Sequence, residues 1–274
     1  MYKLIVCDAD GTLLDGNFKI SQIDKDAIKR AQDIGVKVSL CSGRSYKSLR
    51  NFAKELSINP KGNYIIGFNG GLVYDMQAEE VVHEVTLDKE AALDVIRCYL
   101  SFRLKSEVEI VVHVDGEKAL IEKTSEYTLK YQATAKNECV EASDILAAVG
   151  NLNSISKIAF IGLNENLKLL ERDLNLACIK DAAIFFTAEY LLEAGPTTCC
   201  KGDGLLWLCG KYGISPAETI AIGDNYNDLS MIEAAGLGVA VANAVEAVKD
   251  AADYATENDC KNGAVAEVIN KFVL

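Results

Sequence analysis

Short apolar runs, each stopped by a polar turn, recur at both ends of this chain and alternate there with helical periodicity. Lys3-Leu4-Ile5-Val6-Cys7 is a run of buried-strand type that ends at Asp8-Ala9-Asp10-Gly11. Ser21 then precedes Asp24 at capping-box-like spacing, and Ile23, Ala27, Ile28, Ala31 and Ile34 fall at helical spacing before Gly35. A second strand is predicted over 36–41, ending at Ser42-Gly43-Arg44. Ser45 caps a helix to about 56, with Leu49, Phe52, Ala53 and Leu56 on one face. A third strand over 64–68 ends in the turn signal Asn69-Gly70-Gly71.

The last seventy-five or so residues repeat this style. A helix over 202–211 turns Leu205, Leu206, Leu208 and Cys209 inward, and Ser215-Pro216-Ala217-Glu218 is a capping box with Pro at the first helical position. A strand over 219–223 runs into Asp224-Asn225-Tyr226-Asn227-Asp228. Helix 228–235, strand 238–241, helix 245–251, a short strand at Ala255 and helix 264–272 complete the pattern. Such alternation implies a doubly wound parallel sheet with helices on both faces.

The middle is different. Residues 81–85 and 107–114 are rich in β-branched side chains, and Asp115-Gly116 is a hairpin signal leading into a strand at 118–121. Helical patterns at 124–135 and 167–176, with strands near 157–161 and 184–187, make residues 83–190 a separate α+β module inserted into the first domain. Residues 1–82 and 191–274 then form the core.

Charge and cysteine usage narrow the partners. With a net charge of −12 the average surface repels nucleic acid, while a small phosphorylated metabolite remains compatible if a local cation reverses the field in one cleft. No apolar run approaches the roughly 18 residues of a membrane span, and the acidic residues right after the first strand do not fit a signal peptide. The chain is expected to be cytoplasmic, and a monomer or homodimer. Nine cysteines without a CxxC pair fit a reducing compartment; Cys7, Cys41, Cys178 and Cys209 sit within apolar runs as small hydrophobes. Two histidines, His83 and His113, are too few for a His-rich zinc site, so metal chemistry must rest on carboxylates. Trp207, on an apolar helix face, reads as core.

Four chemical elements then fall, in order, at strand ends or helix starts. They are the carboxylates Asp8 and Asp10, the Ser42-Gly43-Arg44 turn, Lys201 before a helix, and the acidic Asp224–Asp228 turn. Each taken alone has a plain structural reading: an acidic turn, a helix entry, a surface lysine or a cap. Neither acidic turn fits a calcium EF-hand loop, because Tyr226 and Leu229, or Leu13, occupy positions that need an acid, amide or glycine. In combination they supply paired carboxylates, a hydroxyl, an ammonium and a second acidic cluster, an inventory suited to phosphoryl transfer with Mg²⁺.

In order and spacing these motifs resemble the haloacid dehalogenase (HAD) superfamily, specifically its Cof-type hydrolases. The matching segments are Asp8-Ala9-Asp10-Gly11-Thr12-Leu13, Ser42-Gly43-Arg44, Asn69-Gly70, Lys201-Gly202 and Gly223–Asp228. The resemblance implies a Rossmann-like α/β core with an inserted α+β cap domain at the place of the middle module. It implies a phosphatase that hydrolyses sugar phosphates or similar metabolites, flavin mononucleotide and pyridoxal phosphate among them, through an aspartyl-phosphate. Asp8 would be the nucleophile and Asp10 the acid and base. The Asp8 carboxylate, the Asp10 carbonyl and Asp224 would hold Mg²⁺. Ser42, the Gly43 amide, Lys201 and Asn227 would bind the phosphoryl oxygens. Asp228 would orient the metal shell or Lys201, with Arg44, Asn69 and Asn225 in support. A phosphosugar mutase of the same superfamily and a non-catalytic phospho-ligand sensor share the same motifs.

Overall fold

The computed structural model describes residues 1–58, 62–103, 107–114 and 118–274, so the Asp115-Gly116 hairpin signal lies outside the described residues. The chain forms two compact units, residues 1–83 with 199–274, and residues 84–198.

The first unit begins with β1 (Leu4–Cys7), α1 (Gln22–Asp33), β2 (Lys37–Leu40), α2 (Tyr46–Glu55) and β3 (Tyr64–Gly67), continued by β4 (Leu72–Asp75) and β5 (Glu80–Glu84). β3, β4 and β5 form a small sheet in which β3 and β4 are antiparallel; β4 was not legible as a strand in sequence.

The second unit holds α3 (Lys89–Arg103), β6 (Val108–His113), β7 (Lys118–Ile121), α4 (Glu126–Ala135), β8 (Glu138–Glu141), α5 (Ile145–Gly150), β9 (Lys157–Gly162), α6 (Asn164–Leu176), β10 (Ala182–Ala188) and β11 (Leu191–Pro196). Its strands form one six-stranded sheet in the order β10-β11-β9-β6-β7-β8, antiparallel except between β7 and β8. Leu167, Leu170 and Leu174 of α6 and Ala92, Val95, Ile96 and Tyr99 of α3 pack with Ile110, Ile158 and Phe160 of the sheet.

The chain then returns to the first unit through α7 (Lys201–Tyr212), β12 (Thr219–Gly223), α8 (Leu229–Ala234), β13 (Leu237–Ala240), α9 (Glu246–Ala251), β14 (Tyr254–Ala255) and α10 (Ala264–Phe272). The five-stranded sheet runs β14-β13-β12-β1-β2 and is parallel throughout. β3 continues it through a parallel bridge between Cys41 and Ile66. From β1 the order steps outward through β2 to β3; from β12 it steps the other way through β13 to β14. The reversal lies between β1 and β12, and in such sheets ligands bind beyond the carboxyl ends of the strands flanking it. Both strands are buried along their whole length, which is why they read as unbroken apolar runs.

The first-unit elements fall close to their expected places, with three residues turned outward, and one cysteine of the second unit is exposed as well. Ile23 and Ile34 are exposed, because the buried stripe of α1 is Asp24, Ala27, Ile28 and Ala31 and the two isoleucines lie at its edge. Leu206 is likewise exposed beside the buried Leu205 and Leu208, and Cys178 lies at the surface after α6. The acidic turn after β12 winds into a single 3₁₀ turn, Tyr226–Asp228, before α8.

The boundary of the inserted unit also differs. The sequence puts its end at 190, yet β11 pairs antiparallel with β9 and β10 and carries the chain to Thr198 within that unit. Leu191-Leu192-Glu193-Ala194-Gly195-Pro196 has no local strand alternation, and its partner β9 lies about thirty residues away in sequence. α3, β8 and α5 are also new. α3 does carry a helical period, with Glu90, Asp94, Arg97 and Ser101 exposed along one face and Ala92, Val95, Ile96 and Tyr99 buried on the other.

Among the described residues, no helix is long and apolar enough to cross a membrane. All nine cysteines are free thiols.

Asp24 is a polar tie inside this apolar frame. Its Oδ1 accepts the amide of Ala266 (2.8 Å) at the start of α10, and its Oδ2 accepts the Ser21 hydroxyl (2.7 Å). Replacing Asp24 with Ala strands the buried amide of Ala266, at a cost of roughly 1–3 kcal/mol. The expected outcome is a melting temperature lower by several degrees in a thermal denaturation experiment, with the Asn variant, which keeps an acceptor oxygen, falling less.

Candidate active site

β1 and β12 deliver Asp8 and Asp224 to the rim where the strand order reverses. The Asp8 amide donates to the carbonyl of Ile222 (2.9 Å), so the backbone still follows the sheet as the first acid is presented. Oxygens of Asp8, Asp224 and Asp228 all lie within 4.8 Å of one another.

Lys201, the first residue of α7, reaches into this cluster. Its ammonium donates to Asp8 Oδ1 and to Asp228 Oδ1, both at 2.5 Å, and the side chain is inaccessible to solvent. Asp228 is fully committed: its other oxygen, Oδ2, accepts the amides of Asp224 and Asn225, each at 2.9 Å. Asp224 Oδ1 accepts the Thr12 hydroxyl (2.9 Å).

The electrostatics follow from three carboxylates sharing one ammonium. Burial holds Asp8 well above the ordinary carboxylate range; Lys201 pulls against this, while Asp228, Asp224 and Asp10 add to it. Burial, with Asp228, pushes Asp224 up to about 6, against the Thr12 hydrogen bond and Lys201. Burial opposes charge on Lys201, but Asp228 and Asp8 outweigh it and keep the ammonium protonated far above neutral pH. The remaining negative charge calls for another cation, and the donors are hard oxygens of the kind that bind Mg²⁺ or Ca²⁺. Gly11 keeps the approach open: its φ is +82°, and a Cβ there would stand 2.5 Å from Asp224 Oδ2. The residues therefore fit a divalent metal.

The next loops are joined to this centre by hydrogen bonds. The Ser42 amide donates to the Ile66 carbonyl (3.0 Å), and the Asn69 amide to the Ser42 carbonyl (3.0 Å). Asn227 Nδ2 donates to Asn69 Oδ1 (3.0 Å), and a Cβ on Gly43 would touch the Asn69 amide group at 3.3 Å. Asn69 adopts a left-handed conformation (φ 55°), which its short amide side chain tolerates. Gly70 (φ +101°) packs so closely on the start of α7 that a Cβ would lie 2.0 Å from the Cys200 carbonyl. The Asn-Gly turn is thus the seat on which the Lys201 helix rests.

Asp10 stands apart from the three-carboxylate cluster. Its carboxylate is gripped by Arg44, with Nε to Oδ2 and Nη2 to Oδ1, both at 2.6 Å. The cluster's third side chain is Asp228, read from the sequence as orienting the metal shell or Lys201. Asn225 caps the 3₁₀ turn, accepting the Tyr226 amide (2.8 Å).

Three residues with no assigned part in the sequence reading support the site. Thr12 lies inside the first motif, where its hydroxyl could have been noticed. Asn243 donates to the Gly11 carbonyl (2.7 Å) and accepts the Cys260 amide (3.0 Å), and the Ser230 hydroxyl accepts the Gly202 amide (3.1 Å). Neither sits in a motif, and only the fold brings them near. His113 is buried against Tyr131 (2.8 Å), with burial pushing it well below its usual range, and His83 stacks on Trp207.

The profile of the haloacid dehalogenase-like hydrolases matches residues 5–269. The chain belongs to that family. YxeH of Bacillus subtilis (strain 168) is 33% identical over 277 residues, covering 100% of this chain and 99% of the relative. From the same organism, the 5-amino-6-(5-phospho-D-ribitylamino)uracil phosphatase YwtE is 29% identical, covering 99% and 98%. The crystal structure of a haloacid dehalogenase-like hydrolase from Bacteroides thetaiotaomicron superposes with a TM-score of 0.87 at 32% identity, covering 99% of each chain. The architecture is accordingly the Rossmann-like core with an inserted α+β domain that this family shares.

The raised acids give the site a pH signature. Folded Asp224 holds its proton to about pH 6, whereas an unperturbed aspartate releases it near 4. Between those values the folded state binds more protons, so stability without metal falls as pH rises through that window. A divalent cation, which needs the ionised acids, reverses the trend above about pH 6. Thermal unfolding from pH 5 to 8 is expected to show a cation-induced rise in melting temperature that grows with pH; a shift independent of pH would count against the cluster as the metal site.

Proposed function

We propose that the protein is a Mg²⁺-dependent phosphatase that hydrolyses small phosphate monoesters, sugar phosphates or similar metabolites, through an aspartyl-phosphate on Asp8. The observation that carries this reading is Asp8 itself. It is buried at the switch point of the sheet, with one oxygen neutralised by Lys201 and the carboxylates of Asp224 and Asp228 beside it. A plain acidic turn would leave such a carboxylate in water.

In this mechanism the free oxygen of Asp8 attacks phosphorus, and the bond from phosphorus to the ester oxygen breaks. The departing oxygen takes its electron pair and a proton from Asp10. Water then attacks the same phosphorus, Asp10 takes the proton, and the Asp8–phosphorus bond opens to release phosphate and restore the carboxylate. Lys201 offsets the charge that two anions bring together, held in place by Asp228. Ser42, the Gly43 amide and Asn227 line the neighbouring loop ends and are assigned to the phosphoryl oxygens. Asp8, the Asp10 carbonyl and Asp224 would hold the metal, which when bound supplies charge neutralisation and a fixed orientation for the phosphate. The names of relatives such as YwtE, a phosphatase of a phosphorylated ribityl compound, support a small phosphorylated metabolite as substrate.

Asp8→Asn is expected to lower Mg²⁺-dependent phosphate release from p-nitrophenyl phosphate by ~10³-fold or more while the protein stays folded. Activity close to wild type would remove the nucleophile assignment and this function with it. Asp10→Asn is expected to let phosphoryl-enzyme accumulate, seen as a burst of p-nitrophenol followed by slow turnover. Steady turnover at the native rate would take Asp10 out of the proton transfers.

A further inference from the structure

We propose that Arg44 is a positioning residue that fixes the carboxylate of Asp10 and through it governs proton delivery to the leaving oxygen; this rests on the phosphatase reading above. Arg44 makes a two-point fork, with Nε and Nη2 each 2.6 Å from a different Asp10 oxygen. The Asp10 side chain is 44% exposed, whereas that of Arg44 is only 10% exposed. The clamp, not the acid, is the rigid partner.

Its rigidity has named sources. Nη1 donates to the buried Ser48 hydroxyl (3.0 Å), one turn into α2. The guanidinium lies 4.8 Å from the ring centre of Phe18 and 5.8 Å from that of Phe52, within reach of cation–π attraction. The Arg44 amide donates to the Ser42 hydroxyl (3.3 Å). One three-residue segment, Ser42-Gly43-Arg44, therefore carries both the groups assigned to phosphoryl oxygens and the clamp on the acid.

A carboxylate on an exposed loop samples several rotamers, and only those near the ester oxygen are productive. An immobile planar fork holds the ionised carboxylate by both oxygens and removes that freedom; when Asp10 carries the proton, one oxygen keeps its bond to the fork and the other turns its O–H to the ester oxygen, which is where positioning enters a rate. Lysine presents a point charge and cannot reproduce the fork. The step at stake is cleavage of the phosphorus–oxygen bond, in which the leaving oxygen keeps the electron pair and accepts the Asp10 proton. Dependence on that proton grows with the basicity of the leaving oxygen.

The test compares kcat/KM for phenyl phosphate and p-nitrophenyl phosphate, nearly equal in shape but differing in leaving-group basicity. In Arg44→Ala the phenyl to p-nitrophenyl ratio is expected to fall about ten-fold from wild type, and in Arg44→Lys by a smaller but measurable factor. Should Arg44→Ala fail to fold, the Arg44→Lys ratio decides alone. In an Asp10→Asn background, Arg44→Lys is expected to leave the ratio within two-fold of the single variant, because the two act as a unit. A ratio equal to wild type in the folded variants, whatever the common loss, overturns the proposal and leaves Arg44 a structural residue. Full activity of Asp8→Asn would instead sink the phosphatase reading, so the two failures are distinct.

Discussion

Lys201 is the interaction on which the rest of the site depends. An ammonium sealed from water is costly unless paired, and here two carboxylates pair it from different elements, Asp8 after β1 and Asp228 after β12. Removing Lys201 would leave the two carboxylates facing each other in the interior without their shared cation. The arrangement also carries more negative charge than one lysine can balance, which adds to burial in raising Asp8 and Asp224 and makes the centre receptive to a metal cation. Stability and cation affinity are thus set by the same excess of charge.

Holding Lys201 there requires close approach between backbones. The Gly70 turn lies against the Cys200 carbonyl, and the Gly202 amide is held by Ser230 of α8, so the first turn of α7 is fixed on two sides. Asn69 links this seat to Asn227 and to the Ser42 carbonyl, tying the loops after β2, β3 and β12 together. Ionic contacts at the centre and short-range packing around it enforce each other.

The inserted unit offers an instructive contrast. It has its own buried ion pair, Lys157 with Glu193, on neighbouring strands of its sheet, and a buried neutral His113. The two carboxylates nearest Lys201 have a third, Asp224, beside them, whereas Lys157 is paired with Glu193. At the candidate site burial and local charge imbalance act together.

The alternating α/β core, the order of the motifs and the identity of the acids are all legible in the chain's residues, because strands buried in a parallel sheet read as unbroken apolar runs that end where polar residues resume. The sequence also supplied Gly11, Asn69-Gly70 and Lys201-Gly202 as motif members. Local pattern did not carry β11, whose strand character comes from pairing with β9. Nor did it carry Asn243, far from every motif, or Ser230, which follows closely on the Gly223–Asp228 motif. Tertiary structure alone decided that Asp228 takes both Lys201 and two backbone amides, that Asp10 lies in the grip of Arg44, and that the inserted unit runs on to Thr198. The physical reason is range: apolar periodicity is written in neighbouring residues, whereas hydrogen bonds and ion pairs between residues 27 to 242 positions apart exist only once the sheet has brought the strand ends together.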